Sequence, residues 1–368
     1  MSSQIPFTEI VEGLSATTPF VGPETIEREK SRIFEARIGA NESAFGVSPA
    51  AAKAMRDAIQ SASWYGDPEN FDLRKALAEK HGVSMDEVVV GGGIDKLLGL
   101  VVRMIVAPGT PVVTSLGAYP TFNYHVAGFG GKLETVPYSN DHEDPDAILA
   151  AAAAHDSPLM YFANPDNPMG TWFSASDVQS LIDSVPMGKL LVLDEAYVEF
   201  AAEPTDPPID TSDPRVIRMR TFSKAHGMAG ARIGYAIAHR DIITGINKIR
   251  LHFAVNRIAQ MGALASLHDH EHITEVVAEV ARGRQEYYDL ATRLQLPYVP
   301  SATNFVSIDV GSGDRARALV QELAKNGVFI RMPGAPGLDR CVRVTVGTSA
   351  DRAVFADAFK AALDAVPA

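Results

Sequence analysis

Between about residues 72 and 240 the chain alternates short, nearly continuous apolar runs with longer stretches of helical periodicity. The runs Glu87–Gly91, Pro111–Thr114, Pro158–Ala163, Leu190–Asp194 and Val216–Arg220 read as strands; Asp95–Ile105, Pro145–Ala154 and Ser176–Val185 read as helices between them. A strand that is apolar at every position has both faces covered. In alternation with helices, that predicts a mostly parallel sheet sandwiched between helical layers, an α/β fold. Ligands on such a sheet bind beyond the carboxyl ends of its strands, so the chemistry is expected in the loops there.

The pattern then changes. A long helical region, Gln260–Leu294, precedes a strand at Thr303–Val310, a helix at Arg315–Asn326, a strand at Val342–Val346 and a closing helix at Ala350–Leu363. This order predicts a smaller α+β domain, joined by the N-terminal helix Pro49–Ile59. The expected organisation is an arm at 1–30, an N-terminal part of the small domain at 31–60, a large domain at 61–265 and the rest of the small domain at 266–368.

Composition narrows the partners. Lys plus Arg number 33 against 45 Asp plus Glu, a net charge of -12, which argues against a nucleic-acid or anionic-lipid footprint and for small molecules gripped by local arginines. Cys341 is the sole cysteine, so neither an intramolecular disulfide nor a thiolate metal cluster can form. The first residues lack a secretory pattern and no uncharged apolar stretch is long enough for a membrane span, so a soluble, cytoplasmic protein is expected.

The candidate chemistry centres on Thr221–Tyr235. Lys224 stands beside hydroxyls and glycines with an arginine eight residues on, a setting in which an ε-amine can hold an aldehyde as a Schiff base. Thr221 and Ser223 can bond an anionic group and Arg232 can neutralise it. Asp194 ends an apolar strand and would hold a pyridine nitrogen protonated, with Tyr197 at the ring oxygen, although alone it also reads as a turn cap. The loop Asn164–Gly170 offers Asn167 to the same oxygen.

Further candidates flank these. The backbone amides of Gly93 and Ile94, between a strand and a helix, can bind phosphate, although the dinucleotide and Walker spacings are missing. Tyr119 is placed to stack on a ring, and Arg343, in an alternating strand, needs an anionic partner if it points inward. In the cluster His268–His272, a polar run between helical stretches, His270 and His272 lack the i, i+4 spacing of a helical zinc pair; the run reads as a solvated loop, so no metal is expected. The acidic run Asn140–Asp146 reads as a solvated approach to a helix.

Taken in order, these motifs resemble the fold-type I, class I/II pyridoxal-phosphate aminotransferases over nearly the whole chain. Within that group the chain looks most like the histidinol-phosphate aminotransferase branch, on the stretches Gly39–Glu42, Tyr65–Glu69, Leu73–Leu77 and Arg343–Gly347. The resemblance implies pyridoxal 5'-phosphate as cofactor, with Lys224 as its Schiff-base lysine and proton carrier, and Asp194, Tyr197, Asn167 and Tyr119 around the ring. It implies Gly93, Ile94, Thr221, Ser223 and Arg232 at the phosphate. Tyr65 matches a residue that the family contributes to the neighbouring subunit, which makes a homodimer part of the expectation. Arg343 with Arg331 would take the substrate's anionic group, and Asn41 and Phe20 fall in the substrate site.

The expected reaction passes an amino group from histidinol phosphate to 2-oxoglutarate in ping-pong fashion. The sequence departs from the family's usual loop at Asp166 and Met169, and has Phe20 where many histidinol-phosphate enzymes carry tyrosine. The Phe20 departure strengthens aromatic amino acid transamination as an alternative; a lyase such as threonine-phosphate decarboxylase, which shares the scaffold, and a non-catalytic ligand sensor on the same fold are the others.

Overall fold

A computed structural model describes residues 5–15, 21–31 and 33–367. Its strands are, in chain order, β1 (Ala36–Arg37), β2 (Val88–Gly91), β3 (Pro111–Ser115), β4 (Lys132–Val136), β5 (Leu159–Ala163), β6 (Leu190–Asp194), β7 (Val216–Thr221), β8 (Gly234–Ala238), β9 (Tyr298–Val299), β10 (Phe305–Asp309), β11 (Val328–Phe329) and β12 (Cys341–Thr345). A seven-stranded sheet has the order β2-β8-β7-β6-β5-β3-β4. The pairs from β7 to β4 are parallel, and β8 runs antiparallel to both its neighbours.

The residues of β5 show why the sheet is buried on both sides. Leu159, Tyr161 and Ala163 join a core with the helices Ile94–Ile105, Pro120–Gly128 and Arg240–Ile249. Met160 and Phe162, pointing the other way, pack with Pro145–Ala154 and Ala175–Ser184. A period of two with apolar residues at both phases leaves no solvated face.

The second unit holds a three-stranded antiparallel sheet, β12-β10-β9, and the parallel pair β1-β11, which brings an N-terminal strand into C-terminal company. Ala36 and Ile38 share its core with Phe305, Ile308, Phe355 and Phe359. Two boundaries differ from the expectation. The helix Pro49–Ala58 packs against Arg257–His268, with Met55 in a core that includes Val90, Met228 and Ala263, so it belongs to the body of the large sheet. The division drawn at 265/266 falls inside the helix Arg257–His268.

Other expectations are corrected locally. The stretch 260–294 is two helices, broken at Asp269, whose side chain caps His270–Arg293, so His268–His272 is a helix junction and not a loop. The arm carries two short helices, Glu9–Gly13 and Pro23–Lys30; Phe20 lies outside the described residues. Among the described residues no helix is long and apolar enough to cross a membrane.

A buried ionic cluster ties β6 to β7 immediately beneath the ligand edge. Glu195 is 1% exposed and accepts from Arg218 Nε at 3.0 Å and Arg220 Nε at 2.9 Å, while Arg220 Nη2 also reaches Asp206 at 2.7 Å. Burial would raise the Glu195 carboxyl, but the Arg220 and Arg218 guanidiniums outweigh it and hold it below its ordinary 4.5. A depressed carboxyl stabilises the fold above its unfolded value, and that contribution is lost as pH falls through the folded one. Glu195→Gln is expected to cost about 3 kcal/mol near neutral pH, because two buried cations lose their shared anion. Denaturant unfolding reads this, and the gap between variant and parent should narrow in acid.

Candidate active site

The carboxyl ends of the sheet open into a cavity of about 1000 Å³, and Lys224, Asp194, Tyr197, Asn167, Tyr119, Ile94, Thr221, Ser223, Arg232, Arg343, Arg331 and Asn41 all border it. Lys224 sits in the turn between β7 and β8. Its Nζ donates to the Asn41 carbonyl at 2.9 Å and lies 5.4 Å from the centre of the Tyr197 ring. Asn41 is itself built in: its Nδ2 donates to the Tyr197 hydroxyl at 3.1 Å, and its Oδ1 accepts from Thr345 Oγ1 at 3.1 Å.

One end of the cavity is made for an anion. Gly93 precedes the helix Ile94–Ile105 with φ +84°, a conformation that favours glycine, and a Cβ there would come within 2.6 Å of the Arg232 guanidinium. Gly93's amide, however, donates to Gly91 O at 2.8 Å, so this glycine serves by its shape and not as a free donor. Arg232 is held at φ +57°, a left-handed backbone unusual for arginine, with Nη2 2.9 Å from Asp95 Oδ2. Asp95 also accepts the Tyr119 hydroxyl at 2.8 Å. Burial, reinforced by the Asp95 charge, pushes that hydroxyl well above the usual tyrosine range, which keeps it a neutral donor.

Asp194 forms the floor. It is 5% exposed at the end of β6, accepts the Tyr161 hydroxyl at 2.7 Å through Oδ2 and the Ala196 amide at 3.0 Å through Oδ1. Burial raises its carboxyl to about 6, against the pull of those two donors. A carboxylate kept this dry is costly unless a cationic group lies opposite.

A second cationic end lies where β12 meets the segment after β11. Arg343 and Arg331 face each other across a backbone bridge, with Arg343 N donating to Arg331 O at 2.7 Å. Arg343 Nη1 donates to Asn167 Oδ1 at 2.5 Å, its guanidinium lies over the Phe305 ring, and its buried Nε has no partner among the described residues. Burial lowers the guanidinium to about 10, with Arg331 adding repulsion. Arg331 Nη2 donates to Val21 O at 3.0 Å, which draws the N-terminal segment over this end.

Tyr65, expected to serve a neighbouring subunit, does not border its own chain's cavity. It is 76% exposed, with its ring 4.7 Å from that of Phe253. Sequence reasoning passed over Asp95, Tyr161 and Glu143. The last was read as part of a solvated run, yet it is 1% exposed and accepts from Ser115 Oγ at 2.6 Å and the Ala163 amide at 2.9 Å. Its neighbour Asp144 caps the helix Pro145–Ala154, which turns Glu143 inward. Residue type and spacing carried no signal for these; only their neighbours in space do.

Comparison with known proteins gives consistent results. The family model described as aminotransferase class I and II matches residues 36–359. Histidinol-phosphate aminotransferase 2 of Carboxydothermus hydrogenoformans is 34% identical over 96% of this chain and 98% of its own. Histidinol-phosphate aminotransferase 1 of Dechloromonas aromatica is 35% identical over 89% of this chain and 90% of its own. Among solved structures, histidinol-phosphate aminotransferase from Sinorhizobium meliloti in complex with pyridoxal-5'-phosphate superposes with a TM-score of 0.96 at 46% identity, covering 100% of both chains.

Proposed function

The chain belongs to the class I and II aminotransferases, and on that premise we propose that it transfers an amino group from histidinol phosphate to 2-oxoglutarate with pyridoxal 5'-phosphate as cofactor. The residues fit that cofactor. A cleft kept open by a glycine beside Arg232 suits a phosphate, the dry carboxyl of Asp194 suits a pyridinium, and the primary amine of Lys224 borders the same cavity. When bound, pyridoxal phosphate supplies an electron sink for the bonds at the substrate's Cα.

The protein's part is to position groups and move protons. Arg232, the Ile94 helix terminus, Thr221 and Ser223 would hold the phosphate; Asp194, itself held by Tyr161, would oppose the ring nitrogen; Tyr197 and Asn167 would bond the ring oxygen, and Tyr119 would cover the ring. Lys224 Nζ would take the proton from substrate Cα and return it to the carbon on the far side of the transferred nitrogen, a general acid/base role that its position beside Asn41 and Tyr197 supports.

The observation that carries the substrate reading is the pair Arg343 and Arg331. Two guanidiniums placed side by side, one with an unused buried donor, call for an anion with several oxygens. A phosphate in one half-reaction and a carboxylate in the other both meet that need. A homodimer in the cytoplasm belongs to the same proposal. Trp64, Tyr65, Leu251 and Phe253 are exposed apolar residues, and the Ala254 carbonyl borders Gly92 in the phosphate turn, so a partner docked on this face would bring its own Tyr65 to that end.

Mixing the cofactor-loaded protein with single amines tests the reading. Histidinol phosphate is expected to change the cofactor's absorbance faster than phenylalanine does. The reverse order would favour aromatic transamination, and carbon dioxide release without an oxo acid would favour a lyase.

A further inference from the structure

The loop that presents Asn167 to Arg343 is built over two buried carboxyls. Asp166 is 2% exposed; its Oδ1 accepts the Tyr138 hydroxyl at 2.8 Å and its Oδ2 the Met169 amide at 2.9 Å. Its backbone is fixed as well, with the amide donating to Thr171 O and the carbonyl accepting from Gly170 N. Glu143 lies in the same interior, where burial and the nearby Asp166 charge push its carboxyl well above the usual range. Among the described residues, no arginine or lysine bonds either one, in contrast to Glu195 with its two guanidiniums.

The groups that face Asp166 come from four places: Tyr138 after β4, Glu143 ahead of the helix Pro145–Ala154, the Met169 and Asn167 amides of its own loop, and Arg343 on β12 with Arg331 beside it. Burial raises the Asp166 carboxyl to about 7, while the Met169 amide, Tyr138 and Arg343 pull the other way. The Arg343 charge therefore has two claimants, Asp166 from below and any anion from the cavity. When an anion neutralises Arg343, the ionised form of Asp166 loses that support.

We propose that Asp166 is a positioning residue that couples anion docking on Arg343 to uptake of a proton, while Asn167, one residue on, stays bonded to Arg343. The inference rests on Arg343 being the substrate-anion site. Its sign is definite. Binding favours the protonated carboxyl, so anion affinity falls as pH rises through neutrality and Asp166 ionises.

The test is calorimetric titration of the cofactor-loaded enzyme with succinate, which has no amino or oxo group to transfer, in buffers of different ionisation heat. The parent is expected to take up protons on binding near neutrality, and its affinity to fall by about three- to tenfold more than that of Asp166→Asn between about pH 6 and pH 8, a difference of up to roughly one pKa unit. Groups common to both proteins cancel in this comparison. Tyr138→Phe removes a donor that favours the ionised carboxyl, so its break should move to higher pH; this variant carries the test if Asp166→Asn does not fold. An Asp166→Asn profile identical to the parent's, or a Tyr138→Phe break that stays put or moves down, overturns the coupling. Arg343→Gln separates the premise from the inference. If it binds succinate as the parent does, the anion site itself is wrong; if it loses binding while Asp166→Asn matches the parent, only the role of Asp166 fails.

Discussion

Lys224→Ala is expected to lower kcat by at least about 10⁴-fold while leaving the protein folded, because the substitution removes the covalent amine and the proton carrier together. Folding should survive for a specific reason. The Asn41 carbonyl that receives Lys224 Nζ also accepts from Asn304 Nδ2 at 3.1 Å, so no buried acceptor is orphaned. The turn around it is anchored by Phe222 and Ala225, both fully buried. Steady-state kinetics beside a far-ultraviolet dichroism spectrum separates the two outcomes. Residual turnover within about tenfold of the parent would remove Lys224 from the chemistry.

Asp194→Asn should produce the second largest loss, about 10²- to 10³-fold in kcat, with little change in shape. Asparagine can keep the Ala196 amide on its Oδ1, and its Nδ2 can donate to the Tyr161 hydroxyl oxygen in place of the bond that the aspartate accepts there. It cannot carry the negative charge that opposes the ring nitrogen. The parent should also lose activity in acid as the carboxyl is protonated, below the value of about 6 that burial sets because a pyridinium opposite would draw it down, and this acid limb should be absent from the variant. A variant that keeps both the parent's rate and its acid limb would show that another group holds the ring's proton.

Both residues were legible in the sequence for a physical reason. An aspartate that ends a continuous apolar strand has few places to be except the ligand edge of a buried sheet; β5 and the first four residues of β6 were readable because each is apolar enough to be buried on either face, while β7 was readable from Val216, Ile217 and Met219 despite its two arginines. The strands that escaped notice lack that mark. β4 is an edge strand that carries Lys132 and Glu134, and β8 begins in glycine directly after the Lys224 turn, so it looks like a continuation of the loop. Asp95, Tyr161, Glu143 and Asp166 were hidden differently. Each acts through a partner from another element, and neither hydropathy nor spacing reports on such partners. The solvated reading of Glu143 failed because Asp144 and Pro145 set the helix start and leave its neighbour directed inward.

The parallel pair of β1 with β11 has a consequence for how the chain is made. Ala36 leaves the ribosome nearly three hundred residues before its partner Val328. The large sheet, with strands that lie close together along the chain, can assemble while synthesis continues, whereas β1 must wait until that sheet has been made and β11 has emerged for a mate. Asn41, which receives Lys224, lies just beyond that waiting strand, so the nascent protein acquires its sheet first and a finished reaction chamber only once β11 has been made.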